Sequence, residues 1–168
     1  METTHWHLLL NHFPIIGTVI GTLILISGYL LKNNPVVKQT AMGVFIFSAL
    51  AAIPAYLTGE GAEELVEKIP GVTEQIMDTH EDQAIIFLIA VLILGGLALI
   101  TLVSSYLKSK AAAALYMVVL AASVGICFLA KQTGTTGGEI RHTEIRSGFT
   151  DDGKYVIEQN HDQEKEDD

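Results

Sequence analysis

The sequence predicts an all-α membrane protein, a four-helix up-down transmembrane bundle with outward termini. Three observations carry this. The 168 residues are 49% hydrophobic and only 17% charged, unlike an ordinary soluble domain. Four stretches, 13–31, 41–58, 84–107 and 111–130, contain no Asp, Glu, Lys or Arg, and each is close to the roughly 17–25 residues that cross a hydrocarbon core as helix. The charge lies between and after them.

The first stretch follows Met-Glu-Thr-Thr-His, which lacks the basic start of a signal peptide, and no Ala-x-Ala-like cleavage site precedes the next connection, so it reads as a retained span. Helix 1 carries Gly17-x-x-x-Gly21 followed by Ser27-Gly28, helix 3 carries Gly95-Gly96, and Ala111 to Ala114 open helix 4. Small residues at such spacing let backbones approach, within the bundle or across a homodimer seam. Two short connections make helices 1–2 and 3–4 antiparallel neighbours.

The connections also orient the chain. Lys32, Lys38, Lys108 and Lys110 flank the two tight loops, which hold no acid, whereas all 19 carboxylates fall in the other compartment. Basic residues near span ends face the cytoplasm. Both termini and the long second loop are therefore expected in the periplasm, with the spans in a bacterial inner membrane. The formal charge of −9 and the lack of a basic cluster exclude a nucleic-acid surface. The lone cysteine, Cys127, excludes an internal disulfide framework or a Cys-x-x-Cys site and reads as a buried apolar-run residue.

The expected organisation is a transmembrane domain over 1–131 with an extramembrane loop at 59–79, a small extramembrane segment over 132–158, and a disordered acidic tail over 159–168. In the loop, Glu60, Glu63, Glu64 and Glu67 surround a short amphipathic turn with Ala62, Leu65 and Ile69 on its apolar side. Pro70-Gly71 stops it, residues 72–77 form another short helix, and Thr79 caps helix 3 with Asp82 three residues on. Residues 133–138 read as a turn-rich linker, and residues 139–145 as a short strand that a turn at Asp151-Asp152-Gly153 pairs into a marginal hairpin.

The histidines carry the chemistry. His5, His7, His12 and His80 stand at the starts of helices 1 and 3, and His142 follows helix 4, so five of six share the outward layer. His7 and His12, five positions apart, differ by roughly 140° on a regular helix and would not ligate one ion unless the first turn is irregular. Pro14 disfavours an undistorted helix four residues upstream, and a break near His12 would turn that ring inward to face His80; alternatively helix 1 starts at Phe13-Pro14 with His12 close to its cap and residues 2–11 as a surface segment. An imidazole from each of two helices suits axial ligation of haem b. The competing site is a non-haem transition metal held by His80, Glu60, Glu63, Glu64 and Asp82, completed by His7 or His142. The Glu-x-x-His pattern of buried di-iron bundles is absent.

No phosphate loop, nucleophile elbow or His-Glu-x-x-His helix is present, and no ionisable residue lies inside a span to line an ion path. The residues favour electron transfer or binding over catalysis by a standalone enzyme. Trp6, Phe13 and Tyr56 fit either the surround of a macrocycle or an interfacial aromatic belt. Expected partners are the lipid bilayer and a periplasmic redox protein steered by the acidic tail; alternatively the chain is a structural subunit of a larger membrane complex without its own cofactor.

The segment His7-Leu8-Leu9-Leu10-Asn11-His12-Phe13-Pro14 resembles the His-Pro-x-x-x-His-Phe-Pro opening of the four-span bacterial membrane family DUF2231, with Leu8 in place of its proline. Ala51-Ala52-Ile53-Pro54, Thr79-His80 and Gly137-Gly138-Glu139-Ile140-Arg141-His142 are similar to later family segments, with Thr143 standing where the family has glycine. The resemblance covers roughly residues 7–146. It implies a small membrane protein whose family histidines correspond to His7, His12, His80 and His142.

Overall fold

The computed structural model describes residues 3–66, 68 and 72–146. Its elements are α1 (Thr3–Leu10), α2 (His12–Leu30), α3 (Pro35–Leu57), α4 (Glu60–Val66), α5 (Glu74–Tyr106), α6 (Ala112–Arg141) and a 3-10 turn at Thr143–Ile145. Four helical runs, Thr3–Leu30, Pro35–Ala62, Glu74–Tyr106 and Ala112–Arg141, are long and apolar enough to cross a membrane.

Helices α2, α3, α5 and α6 form a closed ring in which α2 also packs on α6. Contacts between neighbours run in opposite numerical order. Gly17, Gly21 and Gly28 of α2 abut Ser48, Phe45 and Lys38 of α3; Gln39 donates to Ser105 (3.1 Å) while Ala49 abuts Gly95; Thr22 meets Cys127 (3.5 Å) while Ile15 approaches Gly134. The Gly17-x-x-x-Gly21 pair thus faces α3. A Cβ at Gly17 would overlap Ser48 Oγ, and one at Gly21 would lie 2.7 Å from the Phe45 ring, so these glycines set how closely the two backbones approach.

The core mixes apolar residues with small polar ones, and the outside of the bundle is apolar. Leu25, Phe45, Val91, Leu94 and Val119 are fully buried, but so are Thr18, Ser48, Thr101 and Ser123, while Leu23, Leu50, Ile93 and Phe128 are exposed. Buried hydroxyls are satisfied by their own helices: Thr18 donates to Pro14 O (2.7 Å), Thr22 to Thr18 O (2.8 Å), Ser48 to Val44 O (2.9 Å) and Thr101 to Leu97 O (2.7 Å). Hydrogen bonding back to the preceding turn removes the penalty of burying a polar group and leaves small contact surfaces for close helix packing.

Local chemistry explains the boundaries. Asn34 Oδ1 accepts from Val36 N (3.0 Å) and Val37 N (3.3 Å), and Pro35 follows at the first helical position, so α3 starts there. Residues Thr3–Leu10 are helical, and Asn11 keeps a near-helical turn with its N–H on His7 O (2.9 Å), so Pro14 produces a mild break rather than the inward rotation expected for His12.

Two expectations are corrected. Helix α5 starts at Glu74, capped by Thr73 Oγ1 accepting from Ile76 N (3.4 Å), whereas Thr79 sits inside it and donates to Gln75 O (2.7 Å). The expected linker and strand over 133–145 are instead the last turns of α6 and one 3-10 turn. Glycine disfavours helix by about 1 kcal/mol per residue, but packing on α5 overrides it. Thr133 Oγ1 donates to Gln83 O (3.1 Å), and a Cβ at Gly137 would stand 2.9 Å from His80 Cε1, so that position admits the imidazole only as glycine. The Pro70-Gly71 stop, the hairpin turn at Asp151-Asp152-Gly153 and the acidic tail lie outside the described residues.

With 33 residues, α5 measures about 50 Å at 1.5 Å per residue, against a hydrocarbon core of about 30 Å. Its apolar part starts at Ala84, so residues 74–83, including His80, form a polar extension of that apolar stretch. The end of α6 lies alongside it, and α1 packs against α3 and α4 at the same end.

Candidate functional site

Thr4 and His7 of α1 and Asn11, one residue past its end in a near-helical turn, are spaced by three and four residues and so share one face. All three are half-buried, whereas His5, Trp6 and Leu8 point outward. His7 Nδ1 lies 2.9 Å from the Ala55 carbonyl. A carbonyl only accepts, so Nδ1 carries the proton of this hydrogen bond. This carbonyl is available because α3 ends at Leu57 and its last carbonyls lack intrahelical donors; Thr58 Oγ1 also donates to it (3.1 Å). The negative end of the α3 dipole polarises the ring further.

His80 is held from the other side. Its Nδ1 lies 3.0 Å from Thr136 Oγ1, whose own proton goes to Thr133 O (3.2 Å), while Thr133 donates to Gln83 O. This chain runs α5, α6, α6, α5 and fixes His80 as the Nδ1–H donor to Thr136. Burial, followed by the nearby His7, holds His80 below the ordinary histidine pKa. Neither Nε2 has a hydrogen bond among the described residues. Thr4 Oγ1 and Asn11 Oδ1, on the His7 face, are buried without partners among the described residues.

The other sequence-derived positions lie apart from this pair. His12 is exposed, with Nδ1 3.3 Å from Leu8 O, and borders an apolar recess of about 300 Å³ with Phe13, Ile16 and Phe47 between α2 and α3. The inward turn expected of His12 is not formed, and of the two rings it is His7 that lies half-buried. His142 is exposed and pairs with Glu144 Oε1 at 2.8 Å. The carboxylate lies below its usual pKa because its own backbone N–H and then His142 stabilise the anion. Glu60 begins α4 and is exposed, as is Asp82; the side chains of Glu63 and Glu64 lie outside the described residues.

Among the described residues no three His, Cys, Asp or Glu side chains gather as a metal shell. What this end of the bundle does offer is two imidazoles, each with Nδ1 anchored and with no hydrogen bond at Nε2 among the described residues. Two imidazoles oriented through Nδ1 are the kind of ligand that a haem iron takes from a protein. The signal for His7 is present in the sequence, in the polar 4-7-11 spacing, whereas His12 falls in register with Ile16 and Ile20 on an apolar outer face.

No family model, curated protein or solved structure matches this chain.

Proposed function

We propose that the chain is a multi-pass protein of a bacterial inner membrane, an up-down bundle with periplasmic termini, that binds haem b between His7 and His80 and passes electrons to a periplasmic partner. The anchored, same-tautomer histidine pair carries this reading. The reversed register of neighbouring helices supports the up-down arrangement. The lysines at the opposite end support the orientation. The DUF2231 resemblance remains part of the same proposal, because His7 and His80 both fall on its histidine positions.

Bound there, haem would supply a one-electron couple. The protein's own part is positioning. Ala55 O and the Thr136 hydroxyl hold the two Nδ1–H groups, fix the ring orientations and make each Nε2 a stronger donor. A non-haem metal with three protein ligands would need a third group brought to this pair.

The test is purification in mild detergent from a host well supplied with haem, with oxidised and dithionite-reduced spectra and iron content on one sample. Sharp haem bands with near-stoichiometric iron, lost in His7→Gln and His80→Gln but kept in His12→Gln and His142→Gln, are expected. A folded protein without haem overturns the reading.

A further inference from the structure

At the end of the bundle opposite the histidines, Lys38 is only 8% exposed. Its Nζ lies 5.0 Å from the centroid of the Tyr29 ring on α2 and 4.4 Å from that of Tyr116 on α6, and it donates to Asn33 Oδ1 at 2.7 Å. Three helices thus converge on one ammonium. No Asp or Glu occurs at 3–59 or 83–138, so among the described residues this end of the bundle holds no carboxylate to neutralise it. Tyr116 is 3% exposed, and both tyrosine hydroxyls are buried with no hydrogen-bond partner among the described residues. A buried cation without a counter-charge and two unused O–H donors are each unfavourable alone. One negatively charged acceptor relieves all three. Exposed Lys32, Lys108 and Lys110 at the same end extend the basic surface.

We propose that this cluster is a binding site for a phosphate oxyanion, accepting hydrogen bonds from Tyr29 and Tyr116 and neutralised by Lys38. The source is either an anionic phospholipid headgroup or free phosphate. Basic pockets between helices at the cytoplasmic face suit the former. The site is separate from the histidine pair and does not depend on haem.

The test is thermal unfolding in nanodiscs of phosphatidylcholine alone, phosphatidylcholine with phosphatidylglycerol, and phosphatidylcholine with millimolar inorganic phosphate. Tyr116→Phe keeps the ring under the ammonium and removes only the hydroxyl; Lys38→Met keeps the stem and removes the charge; Lys110→Met is the surface control. The midpoint of the natural protein should rise with phosphatidylglycerol, Tyr116→Phe and Lys38→Met should each lose at least half of that rise, and Lys110→Met should keep it. The same variant pattern with inorganic phosphate alone would assign a free ion as the source and still support the site. An equal rise in Tyr116→Phe and the natural protein, or no rise with either phosphate source, overturns it.

Discussion

His80 depends on Thr136 for its orientation, and that single hydroxyl separates positioning from ligation. Thr136→Val keeps the shape and removes the acceptor for His80 Nδ1. It should destabilise the fold by about 1 kcal/mol, read by chemical unfolding, and, if haem is held as proposed, weaken its retention roughly 10–100-fold, read by haem transfer to an apo-globin acceptor. The pH dependence follows from the depressed pKa. In haem-free protein His80 is neutral when folded and titrates near the ordinary value of about 6.5 when unfolded, so the unfolded state binds the proton first. Stability is full above that value and falls as pH drops through it towards the lower folded-state pKa. Melting at pH values of about 7.5 and 5.5, either side of that ordinary value, should show a drop that His80→Gln reduces. An unchanged drop would mean that other groups carry it.

At the scale of elements, the spans are legible because an uncharged apolar run of about 20 residues suits a bilayer and little else. Their ends are not. Thr79 has the chemistry of a cap, but Thr73 offers the same hydroxyl six residues earlier, and the amphipathic turn between them continues the helix. The glycines at 134, 137 and 138 read as a linker because helix propensity takes no account of the α5 face they pack on. Their difference is testable. A Cβ at Gly134 meets Ile15 Cδ1 at an ordinary 3.9 Å, while one at Gly137 meets His80 Cε1 at 2.9 Å. Gly134→Ala should stabilise by roughly 0.5–1 kcal/mol. Gly137→Ala should destabilise by about 1–3 kcal/mol through overpacking. Denaturant midpoints with equal slopes decide this, and two variants moving together would show that His80 packing does not dictate the glycine.

For the molecule as a whole, the gathering of histidines at one end of the bundle is legible from residue positions, but which ring lies inward is not. Pro14 singles out His12 in the sequence, yet the near-helical turn at Asn11 leaves that ring on the apolar outside, and His7 takes the inner position through its 4-7-11 stripe. The orientation can be tested in Cys127→Ser protein with single cysteines introduced at Lys110 or Glu74. In intact spheroplasts a membrane-impermeant maleimide should label only the Glu74 position; labelling only at Lys110 would invert the topology.

If His7 and His80 together hold the haem iron, both imidazoles must be visible at the metal. The most direct measurement is the low-temperature electron paramagnetic resonance spectrum of oxidised protein bearing His7→Gly, His80→Gly or His12→Gly, with and without free imidazole. The low-spin bis-imidazole signal should disappear in the first two and return on adding imidazole, while His12→Gly keeps it throughout. Loss in His12→Gly with retention in His7→Gly would contradict the pairing.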